Sequence, residues 1–532
     1  MLKISSKRTT SIMLAVIMVL TLLPSSMSTV FAAEDPVKVF TITNPYENVN
    51  WGTYGQYKAN FHTHSTNSDG SNLTRDMVED YYAKGFDILA MTDHDYTTHL
   101  WDNVRLGAID SARKAEILAG TAAVNTTFDI GINRNGRPMI EIEYSNEQSV
   151  TDHINSFFAN FNNSSGATMA STIATVENLG GITHINHPGR YTGGAVSNDA
   201  QSIAASNNPA TVKKYVDIYR AYPSCIGIEI INKIDNESKS DRILWDNILK
   251  ETMPEGRFVW GFSNDDSHSL NASGYSWNVM LMPEQTQAAT RAAMETGAFY
   301  AVSRVSRLDD INRRLPGGGE TPGSGTASTL YLLEQTTPSI SNIAVLNGEI
   351  TVTGSDYDSI EWISDGVVIA TGNSINLSDY SDKVGSYVRA QLKSATGIAF
   401  TQPFGVAEEV PFAAENLTLT PGATERDMNF TWYSDRDDNT ASVVQIAKKA
   451  DMVGGEFPAN GTTTVSGKSG NASEGKSWHK AAVTGLALGT EYVYRVSNDN
   501  EVFSRIYEFT TGAAGDFQFV AVGDPQLTTG NQ

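Results

Sequence analysis

Between residues 50 and 305, short apolar runs alternate with segments whose apolar residues recur every three to four positions, the pattern of repeated strand and helix units. The runs at 57–62, 86–91, 138–144, 181–186, 226–231, 258–262 and 298–302 predict seven strands. The segments 73–84, 103–117, 167–179, 210–221, 240–250 and 284–296 predict the helices between them. Seven strands joined by helices suggest a barrel or an open wound sheet, and a barrel gathers strand-end side chains into one pocket.

The pattern changes after Arg307, where PGGGETPGSGTAST has little to bury and predicts a linker over 306–335. Over 336–410, short alternating stretches broken by Asn-Gly, Gly-Ser and Asp-Gly turns predict a small antiparallel β-sandwich, with Trp362 in its core. A second all-β sandwich is expected over 415–511, where FTWYSD, ASVVQIAK, HKAAVTGL and TEYVYRVSN have a period of two. The stretch DFQFVAVGDPQL within 515–532 reads as one more strand, ending at Gly523 and Asp524. A strand is not a domain, so the chain is expected to be a fragment or to have lost its last unit.

At the N-terminus, Lys3, Lys7 and Arg8 precede an apolar run from Ile12 to Leu23 and small residues at Ala32 and Ala33. This predicts a secretory signal peptide over 1–33 and a secreted or extracytoplasmic protein. A membrane anchor is the rival, but the run is short for a span and is followed by Pro24, Ser25 and Ser26. No transmembrane segment is expected once the signal is removed. Over 532 residues, 60 acidic against 38 basic side chains give a formal charge of −22, which disfavours sequence-independent nucleic-acid binding. The single cysteine, Cys225, excludes an intramolecular disulfide framework and, at the head of the run CIGIEI, reads as a buried strand residue.

The candidate chemistry lies at the strand ends. FHTHSTNSDG places His62 and His64 at the end of the first strand and Asp69 in the loop beyond. A spacing of two puts both imidazoles on one side of a strand, where they can grip one zinc-class ion while the loop carboxylate reaches a neighbouring ion. An isolated His-x-His more often makes unrelated hydrogen bonds. Here the residue types recur: His94 in MTDHD, Glu141 and Glu143 in EIEYS, His184 and His187 in THINHPGR, and Asp266 with His268 in GFSNDDSH.

These motifs, across about residues 55–305, resemble the metal-dependent phosphoesterase domain of the polymerase and histidinol phosphatase (PHP) superfamily. The resemblance implies a distorted seven-stranded β/α barrel holding two or three divalent ions (Mn, Zn or Fe). His62, His64 and Asp69 match its opening motif, His94 its TDH histidine, Glu143 its bridging carboxylate, His187 its HP histidine, and Asp266 with His268 its closing pair. Glu141 competes with Glu143 for the bridging role, and the following Tyr144 and Ser145 favour Glu143. Glu229 is a candidate ligand or support for one. His187, Asp266 and His268 are also catalytic candidates, and His153 resembles a recurring histidine after the bridging carboxylate that could touch substrate, the alternative being a histidine at a helix start. Arg190, next to the HP motif, could clamp a phosphate oxygen with its planar fork or be a solvated loop residue. His184 and His99 read as supporting or surface groups.

Residues 415–511 look like the fibronectin-like N-terminal domain of purple acid phosphatases, on the motif HKAAVTGLALGTEYVYRVSNDNEVFS with His479, Gly489, Tyr492 and Tyr494. The 336–410 sandwich is placed as an Ig-like module, and 515–532 resembles the truncated start of a calcineurin-like metallophosphoesterase domain, with Asp524 at its first ligand position. Together these readings predict a secreted metal-dependent phosphoric ester hydrolase acting on small phosphoesters, nucleotide or sugar phosphate, through metal-activated water. The alternatives are a noncatalytic metal-binding barrel serving as an extracellular module, or another metal-assisted hydrolase such as a nuclease. Cell-wall or carbohydrate contact through the β-sandwiches is a further candidate role.

Overall fold

The computed structural model describes residues 38–193, 199–233, 240–304, 336–346, 348–409, 414–435, 441–452, 457–458, 460–473, 475–498, 500 and 502–513. The expected signal peptide, the linker 306–335 and the strand within 515–532 lie outside the described residues. The chain divides into two compact units, Met1–Glu408 and Glu409–Gln532.

The first unit begins with β1 (Val39–Thr43), β2 (Gly55–Asn60), β3 (Ile88–Leu89) and β4 (Ile140–Glu141). It continues through β5 (Asn146–Ser149), β6 (His153–Phe157), β7 (Ile182–Ile185), β8 (Cys225–Asn232), β9 (Trp260–Asn264), β10 (Ser276–Met282) and β11 (Phe299–Ser303). The seven expected strands all form, as β2, β3, β4, β7, β8, β9 and β11, and so do the six expected helices between Thr74–Ala83 and Gln287–Thr296. β5, β6, β10 and the helix Asp199–Ser206 are additional. Helix starts follow local capping chemistry. Thr168 and Ser171 cap each other's backbone N–H groups before Met169–Asn178, and Asp110 accepts from Ala112 and Arg113 before Ser111–Ala119. Among the described residues no helix is long and apolar enough to cross a membrane.

The expected closed barrel does not form; these strands belong to two separate sheets in a mixed α/β fold. β4, β3 and β2 run parallel, and β10 and β11 continue that sheet antiparallel. The second sheet has the order β5-β6-β7-β8-β9. Beyond β4 the backbone turns through Tyr144 in the left-handed region (φ 55°), and the β5–β6 hairpin opens the second sheet rather than extending the first. At the other junction, side-chain amides stand where ladder bonds would close a barrel. Asn278 exchanges bonds with Ser263 (3.0 Å from its N–H, 2.9 Å to its C=O), and Phe61 N–H donates to Asn264 Oδ1 at 3.1 Å. Phe61, Phe157, Ile182, Phe262, Met280 and Phe299 fill the core between the sheets, each such side chain contributing roughly 1.5–3 kcal/mol by burial.

The segment 336–409 contains β12 (Ser339–Leu346), β13 (Glu349–Ser355), β14 (Ser359–Ser364), β15 (Val367–Thr371), β16 (Ser374–Asn376), β17 (Tyr387–Ser394), β18 (Gly397–Phe400) and β19 (Phe404–Glu409). It is not a free-standing Ig-like sandwich. β18 pairs with β11, in the register Ala301↔Phe400, and β17, β19, β14 and β15 extend the same eleven-stranded sheet. β12, β13 and β16 form a small separate sheet whose Ile340, Ile350 and Ile375 share a core with Trp362 and with Tyr46, Trp101 and Trp277 of the earlier segment. Trp362 is therefore buried as expected, in a core common to both segments. The seam is also ionic: buried Arg389 grips Asp246 through Nε (2.8 Å) and Nη2 (2.7 Å), and Tyr387 Oη donates to the same carboxylate at 2.8 Å.

The second unit contains β20 (Glu415–Pro421), β21 (Met428–Asp435), β22 (Val443–Lys448), β23 (Thr463–Ser466), β24 (Lys468–Asn471), β25 (Lys476–Val483), β26 (Glu491–Ser497) and β27 (Tyr507–Thr510). They make two four-stranded antiparallel sheets, β20-β21-β25-β24 and β23-β22-β26-β27, around Phe430, Trp432, Val444, Tyr492, Tyr494 and Val496. His479 is buried there, stacked 5.2 Å from Trp432 and held between Ser434 Oγ (2.9 Å) and Ser442 Oγ (3.0 Å).

Candidate metal centre

The residues after β2 carry the first ligands. His62 N–H donates to Asn60 Oδ1 (3.0 Å), Thr63 pairs with Ser267, and His64 N–H donates to Ser267 O (2.9 Å), so the segment is locked against the loop after β9. Both imidazoles are fully buried, and their Nε2 atoms lie 3.1 Å apart. Two ring nitrogens at that separation need a proton or a cation between them.

Facing them is Glu147, at the centre of β5. Its Oε2 lies 3.2 Å from His62 Nε2, 3.2 Å from His64 Nε2 and 3.0 Å from His94 Nδ1, while Oε1 lies 3.0 Å from His153 Nδ1 and 3.3 Å from His187 Nε2. Asp266 closes the other side, with Oδ1 3.1 Å from His64 and 3.4 Å from His62, and Oδ2 3.9 Å from His187. An outer group forms where Asp69 Oδ1 comes within 3.3 Å of His268 Nε2 and 3.7 Å of His64 and His94. Four overlapping sets result: His64-Asp69-His94-His268, His62-His187-Asp266, His62-His64-Glu147 and His94-Glu147-His153, each with ligand atoms mutually within 4.8 Å. Among the described residues, all such sets lie in the first unit.

Electrostatics favour a cation here. Burial opposes charge on His62 and His64, yet Asp266 and Glu147 overcome it, raising His62 well above its usual value and His64 to about 9. Burial likewise opposes ionisation of Glu147 and Asp266, but the surrounding imidazoles hold both well below the usual carboxylate range. His268 is lowered by its burial and by His64. Glu147 Oε2 and Asp266 Oδ1 are buried without receiving a hydrogen bond, which is costly unless a cation or proton is shared with the imidazoles. Imidazole nitrogen and carboxylate oxygen suit zinc, manganese or iron, so the donor set fits divalent ions.

Several expected residues sit elsewhere in the arrangement. Glu143 is about 40% exposed, 3.6 Å from His99, and belongs to none of the four sets. Glu141 accepts from Trp101 N–H (2.8 Å) and Lys114 Nζ (3.0 Å). The position between the imidazoles thus belongs to Glu147, and neither Glu143 nor Glu141 occupies it. Glu229 is also outside the sets: it accepts from His62 Nδ1 (2.8 Å), His187 N–H (2.9 Å), Asn232 (2.8 Å) and Asn264 (2.9 Å). It thereby fixes the tautomer of His62 and leaves Nε2 free to ligate. His153 lies on β6 rather than at a helix start, with its ring 5.3 Å from His187 and 5.3 Å from Tyr191. Arg190 is exposed on the turn after His187. His184 is buried, stacked 4.7 Å from Phe262, and held neutral by burial, its pKa lowered to about 4.

Residues 414–511 match the family described as purple acid phosphatase, N-terminal domain. Among solved structures, the chain is similar to a two-domain protein from Bacteroides vulgatus containing a predicted PHP-like metal-dependent phosphoesterase, at 12% identity and a TM-score of 0.32, over 87% of this chain and 96% of that one. It is also similar to a purple acid phosphatase from yellow lupin (Lupinus luteus), at 14% identity and a TM-score of 0.16, over 31% of this chain and 37% of that one. No curated protein matches the sequence.

Proposed function

We propose that the first unit is a secreted metal-dependent phosphoesterase, hydrolysing small phosphoesters of the nucleotide or sugar phosphate class. The observation that carries this reading is the convergence of His62, His64, His94, His153 and His187 on the single buried carboxylate of Glu147. His62, His64, His187, Glu147 and Asp266 would hold an inner pair of ions, and His94, His268 and Asp69 an outer one. Bound there, such ions would activate water near neutral pH and neutralise phosphoryl charge.

The chain's own residues then divide the remaining work. Glu229 keeps His62 oriented, and Asn186 Nδ2, which donates to Glu147 Oε1 at 2.8 Å, orients that carboxylate. His153, partly exposed and tied through Nδ1 to Glu147, has its second ring nitrogen to hold the proton that the leaving alkoxide needs. The buried Phe61, Phe157 and Phe262 behind the site exclude water from its rear wall. The second unit is a β-sandwich accessory to this chemistry.

The test is metal analysis of the whole chain alongside a screen of small phosphoesters with manganese, iron or zinc. Two or more ions per chain and turnover of a phosphomonoester are expected. Fewer than two ions with no turnover would leave a noncatalytic binding module, and products of another bond cleavage would reassign the reaction.

A further inference from the structure

Lys233 follows β8 directly and is partly exposed, with 23% of its side chain open to solvent. Its backbone is in the left-handed region (φ 52°), where side chains other than glycine are uncommon. Two backbone contacts hold it there: its N–H donates to Asn264 O at 3.1 Å, and its C=O accepts from Ser276 Oγ at 3.2 Å. That geometry brings Nζ to 3.4 Å from Asp266 Oδ2. The imidazoles of His62 and His64 meet the other oxygen of the same carboxylate. The ammonium therefore meets the cluster at the Asp266 oxygen that His187 Nε2 also approaches, at 3.9 Å. Strained backbone at such a place is a mark of a positioned functional group.

We propose that Lys233 is a substrate-binding residue that contacts a non-reacting oxygen of the phosphoryl group, which makes phosphomonoester dianions the preferred substrates over diesters. The inference rests on the phosphoesterase reading above and adds to it the charge state of the substrate. A lysine serving only to neutralise Asp266 would gain nothing from exposure, because Asp266 already faces three imidazoles on its inner oxygen, those of His62, His64 and His268. A partly open ammonium can instead exchange its contact with Asp266 for a charge-assisted hydrogen bond to a phosphoryl oxygen. A monoester dianion offers one more negative charge than a diester and gains more from that contact.

The test uses the metal-loaded full chain and inorganic phosphate as the probe, by titration calorimetry, beside steady-state kinetics. Lys233→Met is expected to weaken phosphate binding by about tenfold or more and to raise KM for a phosphomonoester similarly, with less change in kcat. Its KM for a phosphodiester should stay within about twofold, its metal content and melting temperature should be unchanged, and Lys233→Arg should recover most of the phosphate affinity. Phosphate affinity within about twofold of wild type in Lys233→Met would overturn the assignment. So would loss of metal in that variant that Lys233→Arg does not restore. If phosphate binds in a Lys233-dependent way but no phosphoester is cleaved, the hydrolase reading fails while the role of Lys233 stands.

Discussion

Glu147 Oε2 lies 3.2 Å from His62 Nε2, although the two residues are 85 positions apart in sequence and belong to different sheets' ends. The contact exists because β5 begins the second sheet just where β2 of the first runs out, so the gap between the sheets becomes the site. Glu147→Gln keeps the shape and removes the charge shared by five imidazoles. It is expected to lose metal affinity by more than the roughly 10–100-fold that removal of an outer support costs, and to abolish most turnover. Glu143→Gln should leave both within about twofold, since Glu143 lies outside the ligand sets. Metal analysis and kcat on the two variants check this, and the reverse ranking would return the central role to Glu143.

Glu229 acts one step further out. Its Oε1 accepts the Nδ1 proton of His62, and Oε2 accepts the backbone N–H of His187. Glu229→Gln should weaken metal binding by about 10–100-fold, because an amide can turn its NH2 toward His62 and oppose the ligating tautomer. Competition against a chelating indicator reads the affinity. An unchanged value would mean that His62 is oriented by packing alone.

Much of this was legible in the sequence, and the omissions have one cause. Periodicity locates the strands, and His-x-His, Asp-x-His, TDH and HP motifs at strand ends put His62, His64, His94, His187, Asp266 and His268 within reach of one another, as the structure does. Glu147 escaped because β5 reads NEQS, a buried strand with no apolar residue, invisible to hydrophobic patterning. Its one signal was an acidic residue in a polar run just beyond an apolar strand. Periodicity also reports faces and not edges. Nothing in FYAVS or GIAF says that β11 and β18 pair, so periodicity alone divides a continuous sheet into a barrel and a separate sandwich.

Protons and metal ions compete for the same atoms, which fixes the sign of the pH dependence. His64 has its pKa raised from the ordinary 6.5 to about 9 in the metal-free fold, against its burial, by Asp266 and Glu147. The stability this supplies is present in full below pH 6.5 and is lost as pH rises through about 9. The metal-free protein should therefore melt at progressively lower temperature across that window, while metal affinity climbs as His64 gives up its proton. Calorimetry of metal uptake at pH 7.5 in two buffers of different ionisation enthalpy should show proton release. No buffer dependence would mean that His64 is already neutral there.

The seam between residues 50–305 and 336–409 sets what can be expressed as a unit. A chain cut after residue 305 would bare the edge of β11, where Ala301, Val302 and Ser303 pair with β18, and would leave Asp246 buried without Arg389. Exposed strand edges template aggregation, and stranding one partner of a buried pair costs about 3–5 kcal/mol. The segment 50–305 is therefore expected to be insoluble or to melt far below 38–409, which retains both sides of the sheet. In the longer segment, Arg389→Met should lower the melting temperature more than the double variant Asp246→Leu with Arg389→Met, because only the single change leaves a buried carboxylate without its cation, held by Tyr387 Oη alone. A 50–305 segment as stable as 38–409, or a double variant no better than the single, would show that the seam carries little of the fold's stability.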